Sequence, residues 1–319
     1  MNTKLTFSIT QMEYVMAVHK FGHFAKAAEA CFVTQPTLSM QIQKMEEDLG
    51  IIIFDRSKKP ILLTEVGEKL VEQIQSILFE VKKIEGIIQT NEKGVIKGEL
   101  LLGVIPTIAP YLLPKLLPVL EKKFPQLNLK IMELQTDQII AALDNDEIDV
   151  GILATPTKTP KMFELPLYYE TFSLLCKKSH PYAQSKKIKY SALRREDIWL
   201  LAEGHCMRHQ VLDICSSKNF KDENRKFKFE SGSLETLKNL VESYGGYTLL
   251  PELASNTIGD HTQLIPFERP IPAREVGLIY RREHYKNNLI EALGEAIVKS
   301  IPEEVRKIRP KDLDVLPIN

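Results

Sequence analysis

The feature that most constrains this chain is a change of hydrophobic period near Gly98. Before it, apolar residues recur mainly at helical spacing; after it, short continuous apolar runs alternate with amphipathic stretches. A helical period does not settle as a strand, and strand–helix alternation calls for layered α/β packing. The two parts therefore fold as different architectures. A length of 319 residues gives room for two or three domains, each with its own core.

In the first part, Met12, Val15, Met16 and His19 take one helix face, and Phe21-Gly22-His23 ends that helix. Residues 24–31 form a short alanine-rich helix able to pack closely on a neighbour. Thr34 then caps a third helix, with Pro36 in its first turn, Gly50 at its stop, and Leu38, Ile42, Met45 and Leu49 as its buried stripe. Gln35, Thr37, Ser39, Gln43 and Lys44 are left facing outward. Two helices joined by a tight turn, the second presenting short polar side chains, is the plan of a helix that reads the major groove. Thr34, Gln35, Pro36, Thr37, Ser39 and Gln43 are the candidate DNA contacts. Residues 52–56 and 60–64 flank Ser57-Lys58-Lys59 as a two-stranded wing with a basic tip, and Arg56 is the candidate phosphate contact.

The net charge of zero excludes a globally basic nucleic-acid binder, and residues 1–90 carry ten Lys/Arg against eleven Asp/Glu. A helical protein-interaction module is thus the competing reading. The acids gather at Glu46-Glu47-Asp48 and along the next helix, away from the outward face, which favours DNA. From Thr64 a long helix carries Val66, Leu70, Ile74, Ile77, Val81, Ile84 and Ile88 in a seven-residue repeat, as a dimerisation helix would. A plain amphipathic helix on its own domain is the alternative.

The stretch 24–64, with Ala27-Ala28, Thr34-Gln35-Pro36-Thr37-Leu38-Ser39, Leu49-Gly50, Phe54-Asp55-Arg56 and Leu63-Thr64, resembles the winged helix-turn-helix of LysR-type transcriptional regulators. The resemblance implies a DNA-binding dimer or tetramer engaging operator half-sites. It also implies a sensor domain with two subdomains, like periplasmic binding proteins, joined by strands crossing near Glu170 and Ala273. The fold class is then α/β, with a winged domain at 1–64, a dimerisation helix and hinge at 65–97, and a regulatory domain at 98–319. That domain divides into one half at about 98–170 and 274–300 and another at about 171–273. Its expected strands are 100–104, 127–134, 148–153, 172–177, 198–201, 227–230, 248–250 and 276–280, with helices between them and a last helix from Glu283.

Four cysteines in 319 residues provide no disulfide framework, no apolar run is long enough to span a membrane, and the N-terminus does not read as a signal peptide. A reducing, cytoplasmic setting follows. Within it, Gly204-His205-Cys206-Met207-Arg208-His209-Gln210 leads to Cys215, nine residues beyond Cys206. If Gly204 precedes a helix, Cys206 lies in its first turn, where the backbone dipole and Arg208 favour thiolate. Positions nine apart in one helix are about 13 Å apart on opposite faces. A disulfide needs Cα atoms within roughly 7 Å. A Cys206–Cys215 bond therefore requires the helix to unwind, which makes it a switch.

Two free cysteines can equally be buried filler, and Cys31 and Cys176 are read that way; Trp199 reads as core. For Cys206 the surrounding motifs decide. Residues 104–108, Gln135-Thr136, 204–210, Cys215, 233–237 and 249–251 resemble the peroxide-sensing branch of the same family. This resemblance implies that Cys206 reacts with hydrogen peroxide, that Cys215 resolves it, and that Thr107, His205 and Arg208 surround the oxidant. Thr136, after the second strand, opens on the same crevice, although it could simply cap its helix. His209 stands where this branch often has an aspartate. No cofactor or metal is expected, and RNA polymerase and a thiol reductant are expected partners. The alternatives are a family member answering a small metabolite in the crevice, or a thiol peroxidase.

Overall fold

The computed structural model describes residues 7–89, 97–160, 162–193, 197–214, 229, 231–281, 287–311 and 313–318. The chain divides into two units at Asn91/Glu92.

In the first unit, Ser8 caps α1 (Ile9–Phe21), which ends on left-handed Gly22. α2 (Phe24–Ala30) and α3 (Gln35–Leu49) follow, and the Thr34 hydroxyl accepts from the Thr37 N–H at the start of α3. Gly50, at φ +68°, closes α3 in a conformation that disfavours side chains. β1 (Phe54–Asp55) and β2 (Leu62–Leu63) pair antiparallel as the wing. α4 (Glu65–Gln89) begins with Thr64 Oγ1 accepting the Gly67 N–H at 3.0 Å.

Val15, Val18, Ala27, Leu38, Ile42, Met45, Phe54, Val71 and Ile74 share one core. Each large apolar side chain in it contributes about 1.5–3 kcal/mol of burial. The long helix does not follow the expected seven-residue seam from its start. Val66 is 49% exposed, whereas Val71 and Ile74 are buried against α1–α3. Its first half is therefore a wall of the winged domain. Farther along, Ile84 is 59% exposed. His19, expected on the buried face of α1, is exposed, and Val18 takes the inward position.

The second unit is built on an eight-stranded sheet. β3 (Lys97–Val104), α5 (Ala109–Lys123), β4 (Gln126–Glu133), α6 (Thr136–Asp144) and β5 (Val150–Thr155) form parallel crossovers of the order β4-β3-β5. β6 (Met162–Lys177) then runs the length of both halves. Beyond it come α7 (Cys206–Ile214), α8 (Leu234–Ser243), β7 (Tyr247–Pro251), β8 (Thr262–Pro266), β9 (Ile271–Arg281), α9 (Asn287–Ser300), α10 (Glu303–Arg306) and β10 (Leu313–Val315). β9 pairs antiparallel with β5 on one side and β6 on the other, and its start also carries β10 in parallel. β7 and β8 flank the far half of β6.

Two cores result. Leu100, Leu102, Ile139, Val150, Ile152, Ile290 and Ile297 fill the first, and Phe172, Leu174, Val211, Leu237, Val241 and Leu249 the second. β6 and β9 are shared by both, with Glu170 opposite Arg274 and Thr171 opposite Ala273 in register. The first ten residues of β6 were not expected as strand, because Pro166 and the bulge between Pro166 and Tyr168 break the alternation. β8 and β10 were also unexpected. Residues 198–201 make only isolated bridges, and the expected strand 227–230, apart from Phe229, lies outside the described residues, as do residues 283–286.

Candidate functional site

The outward face of α3 is formed by exposed Gln35, Pro36, Thr37, Met40 and Gln43, with Ser39 half-buried. Thr34 and Thr37 share a hydroxyl hydrogen bond of 2.8 Å, and Gln43 donates to Glu47 at 3.0 Å. The wing tip, Ser57-Lys58-Lys59, is exposed.

Glu46 is not a solvated acid. Its Oε1 accepts the N–H groups of Ile53 and Phe54 at 2.8 and 3.3 Å, and its Oε2 accepts from Arg56 at 2.8 Å. The Arg56 guanidinium lies over the Phe24 ring, 5.0 Å from its centroid. Arg56 thus ties the wing to α3 and α2 while its side chain keeps 40% of its surface exposed.

In the second unit, Cys206 is the first residue of α7, a free thiol with 7% exposure. It belongs to the first core, whereas Met207, Val211 and Ile214 of the same helix belong to the second. The helix thus begins at the seam between the halves. Gly204, at φ +87°, makes the turn into it; a Cβ there would meet Gln135 Oε1. His205 is 5% exposed, its Nε2 3.4 Å from Gln135 Nε2, and burial lowers its pKa, favouring neutral imidazole.

Gln135, not Thr136, is the cap residue of α6, its N–H donating to Gln138 Oε1 at 2.9 Å. The Thr136 hydroxyl is therefore not used for capping. It is buried without a hydrogen-bond partner.

The cation beside Cys206 is one that the sequence did not single out. Arg274 is 1% exposed and donates from Nη1 to Thr107 Oγ1 at 2.9 Å and from Nη2 to the Thr107 carbonyl at 3.2 Å. Its Nε and Nη2 grip Glu170 Oε1 at 2.8 and 2.6 Å, while Glu170 Oε2 accepts the Leu253 N–H at 3.2 Å. Burial works to lower the Arg274 pKa. Attraction to Glu170 and then to Cys206 outweighs it, and the pKa is raised. Arg208, expected beside the thiol, instead donates from Nη1 to the Leu201 carbonyl at 2.7 Å, and His209 is exposed. Arg274 thus joins Thr107 to Glu170, and Gln135 lies against His205 and Gly204 just before Cys206, while no hydrogen bond joins the Thr136 side chain to them; Arg208 supports the approach to α7. Cys215 lies outside the described residues.

A signal for Glu170 and Arg274 did exist in the sequence: both fall where the strands were expected to cross between the two halves. Cys176 has no such surroundings. It is wholly buried in β6, where desolvation pushes its pKa up to about 11. Burial and Glu13 raise that of Cys31. Among the described residues, no cluster could hold a metal ion, and no helix is long and apolar enough to cross a membrane.

Comparison with known proteins gives the following. Residues 9–68 match the profile of bacterial regulatory helix-turn-helix proteins of the lysR family, and residues 93–301 that of the LysR substrate binding domain. A hydrogen peroxide-inducible genes activator of Haemophilus influenzae is 37% identical over 299 residues, 92% of this chain and 98% of the relative. The DNA-binding transcriptional dual regulator OxyR of Escherichia coli is 36% identical over 292 residues, 91% and 94% of the two chains. Among solved structures, a full-length cysteine-to-aspartate variant of OxyR from Pseudomonas aeruginosa has a TM-score of 0.76 at 34% identity, covering 92% of this chain and 98% of that one.

Proposed function

The chain belongs to the LysR family of bacterial regulators, and on that premise we propose that it is a DNA-binding transcriptional activator that senses hydrogen peroxide through a reversible Cys206–Cys215 disulfide. The observation that carries this reading is the buried Cys206 at the start of α7, at the seam between the two cores, together with the buried Arg274 that holds Thr107.

The chemistry follows from those groups. The Cys206 thiolate attacks one peroxide oxygen; the S–O bond forms, the O–O bond breaks, and its electron pair leaves with the far oxygen. Arg274 balances the thiolate charge. Because Thr107 Oγ1 accepts from Arg274, its own proton is free to be donated toward the leaving hydroxide, with the unpartnered Thr136 hydroxyl as a second donor. Neutral His205 offers one ring N–H. The Cys206 sulfenic acid then condenses with the Cys215 thiol, forming the disulfide and releasing a second water. Two thiols supply the two electrons that reduce the peroxide.

Residues 206–214 are helical, so the bond requires this segment to leave the helix. Refolding would alter subunit packing and be transmitted to the α3 helices on paired half-sites. On the DNA, Gln35, Pro36, Thr37, Ser39 and Gln43 would meet the groove, with Thr34 and Arg56 holding its approach. A dimer or tetramer is implied by half-site reading, and exposed Ile84 suits a helix pair. The working protein would be cytoplasmic and engage RNA polymerase, and a thiol reductant would reset it. A winged DNA-binding unit on the same chain favours this stoichiometric sensor over a thiol peroxidase.

Peptide-mapped mass spectrometry of the reduced protein, before and after one equivalent of peroxide without oxygen, tests the reading. A crosslink between the Cys206 and Cys215 peptides is expected. If both thiols stay free, the reading falls and a metabolite effector takes its place.

A further inference from the structure

Gln210 lies on α7, one helical turn after Cys206, and is wholly buried. Its Nε2 donates to the Leu316 carbonyl at 3.2 Å, and its Oε1 has no partner. A buried amide with half its capacity unused is poor filler, since an apolar side chain would occupy the space without the desolvation cost. The partner it does have is in the C-terminal tail. β10 pairs in parallel with Ile271–Ala273 of β9, and the Leu316 N–H donates to the Ala273 carbonyl at 2.9 Å, next to Arg274. Leu316 is buried in the second core, while Ile318 packs against the first. The tail therefore lies across the crossing strands, is anchored in both halves, and among the described residues is hydrogen-bonded to the redox helix through Gln210.

We propose that the C-terminal strand is a strap on α7, and that Gln210 is the positioning residue through which the strap holds the helix in its reduced conformation. The inference rests on the Cys206–Cys215 reading. Gln210 sits between the two cysteines, so closing the bond between them pulls it out of helical register. The Leu316 carbonyl then loses its donor in the interior, and the strap loosens. The strap thus acts on the second step, condensation of the Cys206 sulfenic acid with the Cys215 thiol and loss of water. It does not act on the first, oxygen transfer from peroxide.

The full-length Gln210→Met variant keeps the side-chain length and removes the hydrogen bond. Trapping the sulfenic acid with a dione in a Cys215→Ser background reads the first step, and its rate is expected to stay within about twofold of the parent. Disulfide closure with Cys215 present is expected to be about five- to tenfold faster, as loss of one internal hydrogen bond predicts. A merely structural glutamine would not separate the two steps. Hydrogen exchange of the parent protein supplies a measurement that needs no variant: the 313–318 peptide should exchange at least about tenfold faster after oxidation. Closure at the parental rate, or unchanged exchange in the tail, overturns the strap; if the variant does not fold, the exchange result decides alone. A parent protein that forms no Cys206–Cys215 bond overturns the disulfide reading and the strap together, whereas a normal bond with an unmoved tail overturns the strap only.

Discussion

Two arginine–glutamate pairs do opposite things in the two units. In the winged unit, Arg56 joins Glu46 at 2.8 Å with its side chain still 40% exposed, and the carboxylate is shared with two wing amides. In the regulatory unit, Arg274 joins Glu170 at 2.6 Å, with side chains 1% and 0% exposed, and its remaining donors go to Thr107. The outer pair fastens two elements and leaves a cation available to a phosphate. The inner pair keeps a permanent positive charge in the interior, where it can act on Cys206. Chemistry is set here by what surrounds the pair, not by the pair itself.

The most disruptive way to break this comparison is Arg274→Met, which leaves Glu170 charged and unpartnered. A loss of about 3–5 kcal/mol is expected, with the melting temperature of the regulatory unit falling by about 10 °C. Adding Glu170→Leu should restore much of that melting temperature and none of the Cys206 oxidation rate. A double variant that reacts at the parental speed would reduce Arg274 to a structural residue.

In the outer pair the acid matters more than the base. Glu46→Ala leaves the Ile53 and Phe54 amides without their acceptor, and a loss of about 1–3 kcal/mol is expected by thermal or denaturant unfolding. Arg56→Ala, by contrast, should cost no more than about 1 kcal/mol. If Arg56 also meets a phosphate, the log–log dependence of DNA affinity on salt will flatten by about one. An unchanged salt slope would confine Arg56 to the wing.

The smallest effect concerns His205. Its pKa lies below the ordinary value near 6.5, so the unfolded chain takes up the proton first as pH falls. Stability is then intact above about pH 6.5 and is lost as pH drops from there toward the lowered folded value. His205→Gln should flatten the melting profile between pH 7 and 5 by less than about 1 kcal/mol. Parallel profiles would mean that the imidazole is not buried neutral.

What the sequence showed and what it hid follow the same division. In the winged unit, caps and stripes act over short separations, so Thr34, Gly22, Gly50 and Leu38–Ile42–Met45 could be read directly. Glu46 could not, because its partners come near only once the wing folds back. In the regulatory unit, the strand–helix alternation gave the layers, and the Cys206 motif gave half the site. Arg274 is 167 residues from Thr107, and only the pairing of β6 with β9 unites them. Arg208 drew attention by proximity in sequence, which on a helix says little about which side chain faces a neighbour. The first half of β6 was hidden by a proline and a bulge.

The 7% exposure of Cys206 also makes its neighbourhood a sieve. A molecule of two oxygen atoms can reach the sulfur with little rearrangement; a folded reductase, or even a bulky thiol, cannot. In the proposed cycle, reset must therefore wait until the segment has left the helix and brought its sulfurs outward. Activation and shut-off are then served by different shapes of one segment, so that a reductant abundant enough to end the response meets the exposed disulfide and not the sheltered Cys206 sulfenic acid before the bond has formed.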